Sequence, residues 1–382
     1  MAGSARVTRR PAGRRSALAV LVASAGVLAA IAFAAASHRG AAGTATFAMR
    51  AESNADQGTG RLVRVEADGV ETVSQWRIVG SPDVSFDGQQ VLFAGGESND
   101  PVARIREMSV DGGRVSVLFA CERGCASPRY LPDGRVLFAA PAGDGAVEAL
   151  FVAARGRAPE RITFGRARDR AVRVLEDGRI AFLRTRLDER GAPMGTALPL
   201  VINPDGTGVT HAFIDIPGPR AVHGVSVGSE VSGPRRTPPV ATSVVDRTRH
   251  TGWLLCLDAW LTRQDDGQAV RRTATSSRMQ VTDADSGAVL GEAPLAADGS
   301  FYVEVPADRL LRLSALDASG SVVSAMDSGV WVRPNEHRGC IGCHEPAALA
   351  PRNAQPLALN GESAAALGPQ GHGSAATGAT HD

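Results

Sequence analysis

Cys340-Ile341-Gly342-Cys343-His344 is the place in the chain where residue types and spacing together name a covalent cofactor. Two thiols three residues apart can add to the two vinyl groups of one porphyrin, and an imidazole directly after the second can bind its iron. The pentapeptide therefore reads as a haem c attachment site, with Cys340 and Cys343 holding the porphyrin and His344 as proximal ligand. The same three side chains could instead supply a tetrahedral zinc site, or the two thiols a disulfide. A sixth iron ligand would come from elsewhere, and the candidates are His211, His223, His250, His337, His372, His381, Met279 and Met326. His337 is too close in sequence to the motif to be expected on the opposite haem face, though it stays among the candidates. Glu336 and Glu345 flank the motif and read as surface charges, with proton delivery as the alternative role. No catalytic residue is read from the sequence.

The motif has to be matured outside the cytoplasm, and the chain begins accordingly. Residues 1 to 16 carry five arginines and no acid, and 17 to 36 are almost wholly apolar. This is an export signal, with small-residue cleavage sites near Ala34-Ala35-Ala36, or an uncleaved membrane anchor. The protein is expected to be periplasmic or secreted. Of the 382 residues, 41 are basic, every one of them arginine, against 40 acidic. That balance excludes nucleic acid as an expected partner. Five cysteines leave three beyond the motif: Cys121 and Cys125 suit a small loop disulfide, and Cys256 lies in an apolar run as a buried thiol.

Glycine and proline are abundant, 43 and 22 residues, and favour short strands joined by tight turns. Asp87-Gly88, Asp133-Gly134 and Asp177-Gly178 each precede an apolar run, at intervals of 46 and 44 residues. Second turns at Asp68-Gly69, Asp111-Gly112, Arg155-Gly156 and Asp205-Gly206 fall between them. That is the period of a four-stranded propeller blade, and it gives about four blades over 60–216. Four blades are near the lower limit for a closed propeller, and the ring is expected to be short, open or completed otherwise. These aspartates are turn residues and not catalytic ones.

Further organisation follows from composition. Residues 1–36 are the signal or anchor, 37–59 a linker, and 217–239 a second linker rich in proline, glycine and arginine. Residues 240–333 read as a β-sandwich of seven strands, the first at Val240–Val245 and the last at Val322–Val332. The haem segment occupies 334–355, and 356–382 is expected to be disordered. The fold class is all-β: a short propeller, a sandwich-like middle domain, and a C-terminal haem segment.

Ser81 to Gly88, Ser127 to Gly134, Thr251 to Leu257 and Trp331 to Glu345 together carry a family likeness. In their order and spacing the chain resembles proteins that share the middle domain of the hydrazine synthase alpha subunit, with a TolB-like propeller in front. The resemblance implies a secreted propeller, a β-rich middle domain and one haem c. It also implies a zinc held by a propeller-loop cysteine, for which Cys121 or Cys125 would stand here, with a tyrosine downstream of the motif taking the iron. Glu345, Pro346, Ala347 and Ala348 follow His344, so that tyrosine is missing and the ordinary His344–iron bond is favoured. Hydrazine synthesis is not carried over.

Three functions follow as expectations. The first is electron transfer to a redox partner protein. The second is a five-coordinate haem enzyme acting on small nitrogen or oxygen species. The third is a propeller interaction module with a Cys/His zinc site.

Overall fold

The computed structural model describes residues 47–54, 59–97, 99–100, 102–143, 147–212, 220–222, 225–227, 231–263, 269–271, 276–326, 329–342, 355–361 and 363–368, all within one compact unit, Thr46–Asp382. Strands dominate, and a single short 3-10 turn, Leu357–Leu359, is the helical element among the described residues. None of the described helical segments is long and apolar enough to cross a membrane, and residues 17–36 lie outside them.

Four blades form the N-terminal part. Blade 1 contains β1 (Phe47–Asn54), β2 (Thr59–Glu66) and β3 (Gly69–Trp76). Blade 2 contains β4 (Ile78–Val84), β5 (Gln90–Gly96), β6 (Arg104–Ser109) and β7 (Ser116–Phe119). Blade 3 contains β8 (Ala126–Tyr130), β9 (Val136–Ala142), β10 (Val147–Ala153) and β11 (Glu160–Arg161). Blade 4 contains β12 (Ala167–Val174), β13 (Ile180–Leu187), β14 (Pro193–Ile202) and β15 (Thr210–His211). The three Asp-Gly turns enter β5, β9 and β13 as their repeat predicts. Gly88, Gly134 and Gly178 adopt φ of 77°, 83° and 84°, where a side chain would be strained. Inner strands pack in succession, β1 on β4, β4 on β8 and β8 on β12, with apolar cores between neighbouring blades.

Blade 1 corrects both expected linkers. The 37–59 segment contains β1, and the 217–239 segment contains β16 (Arg220–Val222), β17 (Val225–Val227) and β18 (Val231–Gly233). β17 and β18 pair antiparallel with β1, so chain from beyond blade 4 completes the first blade. After β18 the backbone runs as a strap back across the propeller. Pro234 lies against Gly88 of blade 2, the Pro239 carbonyl against Gly178 of blade 4, and the Ser243 hydroxyl donates to Asp205 at 2.9 Å. Val240–Val245, expected as a strand, belongs to this strap: it forms no ladder and is mostly exposed. Arg235 anchors the strap on the buried Asp83 carboxylate, which also accepts the Tyr130 N–H at 2.8 Å. Burial pushes the Asp83 carboxyl upward, against the opposing pull of Arg235 and Arg129.

The middle domain is a two-sheet sandwich. β19 (Thr251–Asp258), a small hairpin of β20 (Leu261–Arg263) and β21 (Ala269–Arg271), β22 (Ser276–Asp283), β23 (Val289–Pro294), β24 (Phe301–Pro306), β25 (Leu311–Asp317), β26 (Val322–Ala325) and β27 (His337–Gly342) follow in order. One sheet runs β24-β19-β27 and the other β23-β22-β25-β26. Leu254, Cys256, Val303 and Val305 from the first meet Met279, Val281, Leu311 and Leu313 from the second. Strand β26 stops at Ala325, shorter than expected, and the chain beyond it turns to the propeller.

The C-terminal tail is also corrected in part. Leu357 and Ala358 donate backbone N–H groups to Asp298 at 2.9 Å and Ser300 at 3.0 Å. Ala365 bridges to Val303 and Gly368 to Glu292, so residues 363–368 lie along the edges of both sheets. Residues 369–382 lie outside the described ones.

Candidate functional site

The motif is delivered by an edge strand. Strand β27 pairs parallel with β19 in the register Trp253↔His337, Leu254↔Arg338, Cys256↔Cys340. Cys340 is thus a strand residue of the sandwich and half-buried, where sequence placed it in a separate segment. Register neighbours point to the same face, so Cys340 stands one strand spacing, about 4.8 Å, from the buried Cys256. Cys343, His344 and Glu345 lie outside the described residues, as do His223, His372 and His381.

Four side chains before the motif fix its approach. Trp331 enters the core between blades 3 and 4 and donates its indole N–H to the Gly206 carbonyl at 3.2 Å. Arg333 is fully buried, donates to the carbonyls of Asp205 (2.9 Å) and Arg161 (3.1 Å), and pairs with Asp308 at 2.7 Å and with Glu160. Arg338 donates to the Val209 carbonyl at 2.6 Å. Glu336, expected on the surface, is buried instead. Its carboxylate accepts the Gly208 N–H at 2.9 Å and the Arg333 N–H at 2.7 Å, and burial holds its pKa up against those bonds. With both oxygens engaged it is a latch between the domains, not a proton donor for the motif. Gly252 permits the close approach: a Cβ there would lie 2.7 Å from the Arg333 carbonyl oxygen and 2.9 Å from that of Glu336.

The opposite face of the same sheet is aromatic. His337 stacks on Trp253 with ring centroids 4.2 Å apart, and its Nδ1 shares a hydrogen bond with the Tyr302 hydroxyl at 3.1 Å. Burial, then the Glu304 charge, raises the Tyr302 phenol. His337 Nε2 makes no hydrogen bond among the described residues. Of the other sixth-ligand candidates, Met279 is removed, since it is fully buried inside the sandwich core. Met326 packs against that core, while His211 and His250 are exposed.

Cys121 and Cys125 are joined in a disulfide, Cα–Cα 5.6 Å, in the loop between blades 2 and 3. In this form neither sulfur is a thiolate donor, so the zinc assignment requires their reduction. Among the described residues no three His, Cys, Asp or Glu side chains are grouped to hold a metal ion. The donor set at β27 does fit haem c: a half-buried thiol near the end of an edge strand, followed three residues on by a second thiol and then an imidazole. Sequence reading missed the latch formed by Trp331, Arg333 and Glu336. Its signal was position alone, three anchoring types directly before the motif.

Fold and segment together describe an all-β protein of propeller plus sandwich, whose final sandwich strand runs into a Cys-x-x-Cys-His sequence. Residues 256–345 match the family model of the hydrazine synthase alpha subunit middle domain. Among solved structures the chain is similar to the Kuenenia stuttgartiensis hydrazine synthase, with TM-score 0.66 and 13% identity over 83% of this chain and 72% of that one. At that identity the likeness concerns the fold alone. TolB from Acinetobacter baumannii aligns at 17% identity over 83% of this chain and 72% of its own, with a TM-score of 0.36 that carries no argument. No curated protein matches the chain.

Proposed function

We propose that the chain is an exported protein that carries one covalent haem c on Cys340 and Cys343, with His344 on the iron, and transfers electrons to a partner protein. The observation that carries this is the half-buried Cys340 on an edge strand, within a region matching the hydrazine synthase alpha subunit middle domain. Bound there, haem c supplies a one-electron Fe(III)/Fe(II) couple. The chain's own part is to hold and orient. Trp331, Arg333 and Glu336 fix β27 to the propeller, and Trp253, Tyr302 and His337 form an aromatic patch on the face of the sheet opposite Cys340. A partner is in keeping with a matching domain that is described as part of a subunit. The arginine-rich N-terminus and apolar 17–36 stretch support a periplasmic or secreted location, anchored or cleaved.

The family match favours a second reading, a five-coordinate haem enzyme for small nitrogen or oxygen species. One experiment addresses both. The protein is exported in a host with cytochrome c maturation, and its intact mass and optical spectrum are compared with a Cys340→Ala/Cys343→Ala control. Wild type alone is expected to gain the mass of one haem and a six-coordinate low-spin spectrum. High-spin iron that binds CO would move the assignment to the enzyme. A colourless wild type would sink both and leave a thiol or zinc site.

A further inference from the structure

A cleft of about 800 Å³ opens between blade 3 and the sandwich, apart from the motif strand. That volume is of small-ligand size. Five guanidiniums, of Arg161, Arg247, Arg249, Arg309 and Arg333, line it against two carboxylates, of Glu160 and Asp308. The carboxylates are already committed. Arg333 takes both, Arg247 shares Glu160, and Arg309 turns to Asp283 at 3.3 Å.

Among the described residues Arg161 and Arg249 have no such salt-bridge partner. Arg161 is half-buried, its Nε donates to the Thr163 carbonyl at 2.6 Å, and its guanidinium lies 5.2 Å from the Phe164 ring centroid. Arg333 approaches the same ring at 5.4 Å, so two like charges flank one ring, and of the two only Arg333 is salt-bridged among the described residues, Arg161 having Asp285 and Asp169 at longer range. Arg249, on the sandwich wall, rests over Trp253 at 5.2 Å. Neither Arg161 nor Arg249 makes an ion pair among the described residues, and His250 lies exposed beside them. A guanidinium held by its Nε and its face still offers terminal donors suited to carboxylate or phosphate.

We propose that this cleft binds a small free anion carrying two or more carboxylate or phosphate groups, held by Arg161 from the propeller and Arg249 from the sandwich. Burial depresses the Arg161 guanidinium below its ordinary value, with Asp285 only partly offsetting it, and a bound anion would act in the opposite sense. The site does not depend on the haem assignment.

The test is calorimetric titration of the full exported chain with citrate and with pyrophosphate at low ionic strength. Wild type, Arg161→Gln, Arg249→Gln and a control, Arg312→Gln on β25, are compared. Saturable binding of at least one probe is expected, weakened at least tenfold by either cleft variant and unchanged by the control. Should Arg161→Gln fail to fold, the exposed Arg249→Gln carries the same expectation. Absence of saturable binding, or equal weakening by the control, would overturn the proposal. A glutamate-rich peptide that binds where neither small probe does would overturn it too, and make the cleft a contact for a macromolecule.

Discussion

Cys256 and Cys340 occupy facing positions on paired strands, yet their environments differ: one is sealed in the sandwich core and the other stands on an edge strand. Replacing Cys256 by alanine removes one buried sulfur. The expected cost is on the order of 1 kcal/mol in chemical denaturation. Covalent haem, read by intact mass, should be retained at one per chain, because the motif thiols are untouched. Loss of haem from the Cys256→Ala protein would mean that attachment uses a different pair of thiols. At this scale the sequence was readable where pairing depends on local spacing, as with the Cys121–Cys125 loop disulfide. The burial of Cys256 was readable from its apolar run, but its place beside Cys340 and the burial of Glu336 were not. Their partners, Cys340 and Gly208, lie 84 and 128 residues away, and no local pattern announces them.

Strands after Asp-Gly turns could be read because each turn and its apolar run are a local unit, seen at β5, β9 and β13. Strand β27 could not be read. His-Arg-Gly-Cys-Ile-Gly has one β-branched residue, and its ladder comes from a parallel partner more than 80 residues earlier. Val240–Val245 misled in the other sense, with strand-like composition but no ladder in the structure. The tail 355–368 was misread for a related reason, since its alanines and glycines are held by backbone bonds and not by an apolar pattern. Asp298 anchors that tail. Burial pulls its pKa up, but the Leu357 N–H, the Ser300 hydroxyl and the Ser300 N–H outweigh it and hold it below the ordinary value of 3.8. A depressed carboxylate contributes stability above its unfolded pKa and loses it as pH falls through the folded one. Asp298→Asn should therefore cost under about 1 kcal/mol at pH 7, after allowance for solvent screening. The difference from wild type should shrink below the ordinary aspartate value. Hydrogen exchange of the 355–361 peptide in both proteins, compared at matched pH, checks this. Equal protection in wild type and variant at pH 7 would refute the anchor.

At the scale of the whole molecule, the strap and the stretch before β27 both join the propeller to the sandwich among the described residues. The strap carries Arg235 onto Asp83 and Ser243 onto Asp205, and the stretch before β27 carries Trp331 and Arg333 into blades 3 and 4. Trp331 is the larger contribution. Truncation to alanine should cost about 3–5 kcal/mol, because it empties a core site and removes the bond to Gly206. The loss should appear as one cooperative transition at lower denaturant, since the site is shared by both parts. Two separated transitions, with the propeller unaffected, would contradict that shared core.

The latch before β27 also bears on inheritance. The stretch 256–345 that matches a family model contains Trp331, Arg333 and Glu336, whose partners Gly206, Asp205 and Gly208 belong to the blade 4 turn. Moved by recombination into an unrelated chain, it would carry a bare tryptophan and a buried-type arginine with nothing to receive them. What is transmissible is the pair, this stretch together with the blade that seats it, and a lineage that keeps one is under pressure to keep the other.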